Sequence, residues 1–579
     1  MWHKKTYFCD NLIMKRILHT YIALFMLPFL VSAQTILPFV VGNDSVVPKC
    51  EYRAVWLTTI ENLDWPRTKV REPGDVELQK NELVVLLDSL QDMRINTVLL
   101  QVRVRGDVIY PSKIESFSHV LTGVYGKNPG YDPLAFAIDE CHKRGMQLHA
   151  WLVALPLGKF DHVARHGRNA LPNKRRNLCA RYKGAWYMEP GNPETAGYIT
   201  SLVKEIVQGY DVDGIHLDYV RYPDTVDGYP DAALYRKYGK GKSLAAWRRD
   251  NITRIAASVY AAVKELKPWV RVSCAPLGKY GELARYSSYG WDAYNRVYQD
   301  AQGWLRDGIM DILFPMIYFD GNNFYPFVRD WCENRYGRHV APGVGIYRLM
   351  PKYGGWHAIE IERQMRTSRS AGADGIIMFR TAHLVGNAGG ARDIYTKVYN
   401  TPALVPPMEW ASDAPSAPSI KECMRDENGV VLSWSKVQAA DAHPAIRYNV
   451  YAALGDSVDI SDCRNLVAVS LTEETFTWRC RTKNDIAVAV TAVNAYGVES
   501  EPVYASAAID GSMVRDEVIA LPEPLSWGQR IRVRDIYGRE VYFGKFKRRF
   551  NVGDFAAGHY ILTVHNRHGV LLHSLNFVR

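Results

Sequence analysis

What the chain lacks narrows it first. Its nine cysteines form no C-x-x-C pair, which argues against a zinc site of the finger type and against a dense disulfide framework. Cys463 and Cys480 are the pair that could bridge in an oxidising compartment; each also fits a small buried hydrophobe. Past residue 34 no segment approaches ~18 consecutive apolar residues, so no membrane span is expected. No dense Lys/Arg run occurs, KRRF at Lys547–Phe550 being too short. A net charge of +10 over 579 residues reads as solvated surface, and no nucleic-acid partner is expected. No G-x-G-x-x-G turn follows the first strand-like run, which leaves a doubly wound nucleotide-binding sheet unsupported. No H-E-x-x-H or H-x-H motif appears either. His149, His216, Asp218 and His383 can be assembled into a ligand set only on paper, so no metal and no other cofactor is expected.

What is present is ordinary globular composition, 47% hydrophobic and 23% charged. The length calls for several domains. Residues 1–33 read as a secretory signal: basic Lys15-Arg16, an apolar Ile17–Leu30 stretch, then Val31-Ser32-Ala33 before Gln34. Met14 directly precedes that basic pair and is an alternative start. No cysteine stands at the cleavage point, so no lipid anchor is expected there. These features predict export to the periplasm or outer surface of a Gram-negative bacterium.

From residue 50 to 400 strand and helix signals alternate. The strand-like runs are Arg53–Ile60, Asn96–Val104, Met146–Val153, Gly214–Val220, Arg271–Leu277, Ile312–Tyr318, Val340–Tyr347 and Gly375–Thr381. Each is short and apolar, as strands buried on both faces must be. Between them lie amphipathic stretches such as Leu83, Leu86, Leu87 and Leu90. Gly145, Gly308, Gly337 and Gly372 stand where helix-terminating glycines belong, and Asn192-Pro193-Glu194 reads as an N-cap with proline at the first helical position. Eight strands, each followed by a helix, predict an α/β fold, a (β/α)8 TIM barrel.

A Pro-rich linker is expected over 401–418, then C-terminal β-sandwich modules. Trp434, Tyr448 and the turn Asn494-Ala495-Tyr496-Gly497 resemble a fibronectin type III module over 419–510. Residues 520–579 resemble the C-terminal sorting-type β-domain of secreted Bacteroidetes proteins.

In a (β/α)8 barrel, active sites form at the C-terminal ends of the strands. The fourth run, DVDGIHLDYVRYP, ends an apolar strand in Asp218, Tyr219 and Arg221. An unpaired carboxylate there costs several kcal/mol, so Asp218 is read as functional. Asp213, before the strand, is read as a cap or turn. Other strand ends offer Arg103 and Asp107, His149 and Trp151, Tyr318 and Asp320, and Arg380; the long loop after the third offers Glu189 and Asn192. Carboxylate pairs suit glycoside hydrolysis, one protonating the leaving oxygen and one supporting the oxocarbenium ion. Aromatics suit the apolar faces of sugar rings.

Five ordered blocks carry a resemblance: EYRAVWLTTIENLDWP, INTVLLQVRVRGDVIYPS, NPGYDPLAFAIDECHKRGMQLHAWL, PGNPE and DVDGIHLDYVRYP. They resemble the glycosyl-hydrolase-like ten family of bacterial secreted and periplasmic proteins. The resemblance implies a (β/α)8 barrel. Through the family's divisome-associated member, it also implies cleavage of peptidoglycan glycan strands, particularly those stripped of peptides. Matching blocks place Asp107, Asp218, Arg103, His149, Asn192 and Tyr318 at the family's cleft. HAWLVALPLG departs from the HAWFNPYR of many members, which bears on substrate preference. The fourth block also resembles the DGIDLDWE signature of chitinase-type barrels, but its glutamate falls on Val220.

The expected function is therefore a secreted glycoside hydrolase of a bacterial glycan. Asp218 is the central carboxylate, Asp107 and Asp320 are candidate proton donors, and Arg103, His149, Trp151, Glu189, Asn192, Tyr219, Arg221, Tyr318 and Arg380 are substrate contacts. A catalytically silent glycan-binding scaffold and a hydrolase of host or dietary polysaccharide are the alternatives.

Overall fold

The computed structural model describes residues 47–579, apart from 427–428, 440–442, 481–484, 508–517, 522–524, 526–527, 536 and 557. The expected signal, residues 1–33, lies outside the described residues. Among the described residues no helix is long and apolar enough to cross a membrane. The chain forms two units that divide between Ser412 and Asp413, and each is described by itself.

The first unit is a closed parallel barrel. Its strands are β1 (Tyr52–Leu57), β2 (Thr97–Arg103), β3 (Gln147–Val153), β4 (Gly214–Asp218), β5 (Arg271–Ala275), β6 (Ile312–Leu313), β7 (His339–Val340 with Gly343–Val344) and β8 (Gly375–Met378). Each pairs in parallel with the next, and β8 returns to β1. Closure depends on β7, whose first half pairs with β6 and whose second half pairs with β8. Closure rules out the doubly wound alternative. The principal helices after successive strands are α1 (Gly74–Asp92), α2 (Pro133–Lys143), α3 (Pro193–Gly209), α4 (Leu244–Leu266), α5 (Ala301–Arg306), α6 (Tyr325–Glu333), α7 (Ala358–Ser370) and α8 (Ala391–Val398). Gly145, Gly308 and Gly372 directly follow helix C-caps and take positive φ, the left-handed conformation a C′ residue needs; Gly337, also at positive φ, instead lies three residues past the Asn334 cap, in the turn before β7.

Register is pinned by one device used four times. The residue just before each even strand accepts the amide of the second residue of the preceding odd strand. Asn96 takes Arg53 N at 3.0 Å; Asp213, Asp311 and Asp374 take Leu148, Val272 and Val340 N, each at 2.8 Å. Asp213 is thus a strand-start tie, satisfying a backbone donor that burial would otherwise leave unmatched. Inside the barrel, Tyr52, Trp56, Trp151 and Phe314 pack as one cluster, with His216 bonded to Trp56 Nε1 at 3.1 Å and to Ser273 Oγ at 2.9 Å.

Two expectations change here. The long segment after β3 is not plain loop: Pro156–Lys159, Cys179–Tyr182 and Ala185–Met188 form a small antiparallel sheet. The Pro-rich stretch is not a tether throughout. Leu404 bonds with Lys49 and Glu51, Pro406 O accepts from Arg271, and the Trp410 ring meets His339 at 4.8 Å. Its first half therefore straps the bottom of the barrel.

In the second unit, two sheets, of Ile420–Asp426, Gly429–Trp434 and Thr475–Arg479 and of Leu466–Leu471, Arg447–Leu454, Ile486–Val493 and Val503–Ala507, enclose a core with Trp434 and Tyr448. A separate core includes Ile531, Val533, Leu562 and Phe577 on the sheet of Glu540–Lys545, Arg530–Asp535, His559–His565 and Leu571–Val578. Among the described residues no disulfide joins Cys463 to Cys480.

Candidate functional site

The C-terminal mouth of the barrel is where chain reversals need not be satisfied by strand pairing, so side chains there are free for chemistry. Asp218 is the last residue of β4 and only 5% exposed. Its Oδ2 accepts the Trp151 indole N–H at 3.2 Å and its Oδ1 the Tyr219 amide at 2.7 Å. Burial pushes its pKa up to about 6, against the pull of the Arg221 guanidinium, the Tyr219 amide and the indole.

Tyr219 holds φ 51, a left-handed backbone unusual for a bulky residue. The turn leaves its ring 40% exposed, with the Arg221 guanidinium over it at 4.5 Å. Arg221 also pairs with Asp224. Around the mouth, Tyr318 stacks on Phe379 at 5.2 Å and meets Tyr347 at 5.9 Å; Tyr347 meets Tyr353, and Phe319 meets Tyr289. Tyr289, Trp291 and Tyr353 are exposed on these rim loops. The mouth is thus an aromatic surface with one buried carboxylate of raised pKa under it, an arrangement able to give or take a proton at an oxygen bound above.

Asp218, Trp151, Tyr219, Arg221 and Tyr318 come together. Asp320 lies exposed on the rim after β6. Asp107 is apart: 1% exposed, with neither carboxylate oxygen making a hydrogen bond of good geometry, though the Ser118 side chain and the Arg105 amide lie close by. Burial and the Glu115 carboxylate push its pKa up to about 7. It sits with His162, His166 and Ser118, and none of the groups that hold Asp218 touches it.

Other residues expected in the cleft have structural work instead. Arg103 is buried, its guanidinium held by Glu115 at 2.7 and 2.8 Å and by the carbonyls of Val153 and Ala154; nothing is left to offer a sugar. His149 is the third residue of β3, deep in the barrel, its ring where a side chain on Gly214 would be. Burial drops its pKa to about 3. Asn192 caps α3, accepting Glu194 N at 3.0 Å and donating to Asn177 O at 2.8 Å. Arg380 donates to Leu63 O and pairs with Asp64, a carboxylate already taken up by Thr58 and the Ala382 amide. Glu189 is buried among Gly191, Trp247 and Asp231, with its pKa raised by burial to about 7. It makes no contact with the Asp218 group.

Sequence reasoning passed over the residues around Asp107. His162 and His166 belong to HVARH, which has the i, i+4 histidine spacing of H-E-x-x-H with Val163 in place of the glutamate, so a search for the full motif passes over it. Among the described residues, Asp107, His162 and His166 are the only three such groups close enough to share one ion.

A family model described as "Glycosyl hydrolase-like 10" matches residues 51–362. Glycosyl hydrolase YngK of Bacillus subtilis (strain 168) is 34% identical over 411 residues, 66% of this chain and 78% of its own length. Glycosyl hydrolase DigH of Escherichia coli (strain K12) is 34% identical over 286 residues, 46% of this chain and 65% of its own. This chain therefore spans just under two thirds of DigH. Among solved structures, the PgaB (BpsB) glycoside hydrolase domain from Bordetella bronchiseptica superposes with a TM-score of 0.40 at 15% identity, over 60% of this chain and 99% of that one.

Proposed function

This chain belongs to the glycosyl hydrolase-like 10 family, a family of glycoside-cleaving barrels, and from that premise we propose that it cleaves glycosidic bonds within the glycan strands of peptidoglycan by carboxylate acid–base catalysis. The observation that carries the mechanism is Asp218, buried at the end of β4, with a pKa of about 6. A carboxyl whose pKa is raised toward working pH keeps a protonated fraction there that can protonate the leaving oxygen. In this reading Asp218 itself is the proton donor, in place of Asp107 or Asp320. Trp151 fixes its oxygen, and Arg221 limits how far burial raises its pKa. Asp320, exposed after β6, is the candidate anion that supports the oxocarbenium ion or activates water.

The substrate reading rests on the exposed rim aromatics Tyr219, Tyr289, Trp291 and Tyr353, which suit sugar faces. Residues 1–33 support export, and the two β modules support display or spacing of the barrel outside the cytoplasm, the first in the manner of a fibronectin type III domain. The test is release of new reducing ends from a panel of peptide-stripped peptidoglycan strands and host and dietary polysaccharides. The proposal expects cleavage of the peptidoglycan strands by the wild type and its loss in Asp218→Asn with glycan binding kept. Glycan binding with no release by the wild type on any substrate would favour the silent scaffold.

A further inference from the structure

We propose that Asp107, His162 and His166 form a binding site for one divalent transition-metal ion of the zinc type, holding the segment after β3 to the rim of the barrel. The proposal is independent of the reading of Asp218. The ligand atoms of the three residues lie within 4.8 Å of one another, and Asp107 Oδ2 is 4.0 Å from His162 Nε2. Tetrahedral ligands about 2.1 Å from an ion sit roughly 3.4 Å apart, so closing on one needs only a rotamer-scale contraction. All three side chains are more than nine-tenths buried: Asp107 is 1% exposed, His162 3% and His166 5%.

His162 Nε2 and His166 Nε2 have no hydrogen-bond partner, and neither Asp107 oxygen makes a hydrogen bond of good geometry; the Ser118 side chain and the Arg105 amide lie near that carboxylate and only soften the rise of its pKa. Buried polar atoms are almost always paired, so three under-satisfied ligand atoms, one from each residue and all within 4.8 Å of one another, mark a missing partner that accepts lone pairs. A cation is such a partner. A neutral hydrophobic filling is not.

The surroundings orient the donors. His162 and His166 stand one turn apart on the helix Phe160–His166, so both rings leave the same face. The Tyr125 hydroxyl bonds His162 Nδ1 at 3.0 Å, which turns Nε2 toward Asp107, and the Tyr125 ring stacks on His166 at 4.8 Å. An oxygen on the second ring nitrogen is the usual way a ligating histidine is fixed. Two glycines make the approach possible. Gly106 holds φ +79 at the turn into Asp107, and a Cβ on Gly158, φ +93, would stand 2.8 Å from the His162 ring. Two imidazoles and one carboxylate suit zinc and its neighbours. Beside them lies a space of about 10 Å³ bounded by Glu61, Arg105, Ser118 and His119, enough for one water as a fourth ligand. Arg105, the nearby cation, is already paired with Glu61 at 2.7 Å.

The test uses the full-length chain without a histidine tag. After dialysis against EDTA, the protein is exposed to Zn2+, passed through a desalting column and assayed for metal by mass spectrometry. About one zinc per chain is expected for the wild type, and below about a tenth of that for His166→Gln and for Asp107→Asn. No retained zinc in the wild type, or equal zinc in the variants, would overturn the proposal. Should the variants fail to fold, the wild type alone decides. Zn2+ must raise the melting temperature of the EDTA-treated protein, and Co2+ must give the visible ligand-field bands of a low-coordinate site; absence of both sinks the assignment.

Discussion

Two buried aspartates sit on the rim of one barrel and are treated oppositely. Asp218 has donors on both oxygens, from Trp151 and the Tyr219 amide. Asp107, buried as deeply, has no donor in good hydrogen-bond geometry, the Ser118 side chain and the Arg105 amide lying only near it. Burial raises both pKa values, so acidity alone does not tell them apart. Their partners do. Donors on a carboxylate fix where its proton will be delivered, whereas oxygens without well-aligned donors, facing bare imidazoles, leave room for an ion. A pair of raised carboxylates is thus not by itself an acid–base pair.

The largest expected effect breaks the comparison on the Asp218 side. Asp218→Asn should lower kcat by about 10³–10⁴-fold, the upper range for a lost general acid, while glycan affinity measured by calorimetry stays near wild type. Equal loss in Asp107→Asn, with metal content unchanged, would merge the two sites into one.

On the other side, Tyr125→Phe removes the oxygen that aims His162. It should weaken Zn2+ binding by about 10–100-fold in a competition titration, with the pH profile of cleavage unmoved.

Trp151→Phe sharpens the account of Asp218. The indole bond favours the charged carboxylate; without it the pKa rises. As the proton donor, Asp218 works below its pKa, so the alkaline limb of kcat/KM should begin near pH 6 in the wild type and move upward in the variant. A limb that stays in place would remove Asp218 as its source.

Stability gives a linked prediction. The folded pKa of about 6 lies above the ordinary 3.8, so the native state binds the extra proton between those values. Stability contributed by this group therefore falls as pH rises from about 4 to about 6. The wild type should lose up to about 3 kcal/mol over that range, at 1.36 kcal/mol per pKa unit, and Asp218→Asn, whose side chain does not titrate, should lack that fall. Chemical denaturation at pH 4 and pH 7 checks the sign. The smallest effect is a control: Asn192→Ala should cost about 1 kcal/mol for the lost α3 cap and leave kcat/KM unchanged.

The barrel was legible because its strands are buried on both faces and so read as unbroken apolar runs, with glycines closing the helices between them. Asp218 was legible for the same reason: a charge ending such a run stands out. The other site residues were not, because their meaning lies in partners far along the chain. Arg380 and Asp64 are 316 residues apart, and no local pattern says that one neutralises the other. Arg103 looks like a rim arginine until Glu115 and two carbonyls are found around it. His149 could have been placed, since the third residue of a seven-residue strand cannot reach the mouth. The histidine pair was written in HVARH, but its third ligand comes from another loop, and only folding brings Asp107 to it.

The central claim is that Asp218 protonates a glycan leaving group. Its most direct test is reducing-end release from peptide-stripped peptidoglycan strands by wild type and Asp218→Asn, side by side, at pH 6. The account predicts steady release by the wild type and release at least about 10³-fold slower by the variant. Undiminished release by Asp218→Asn would contradict it.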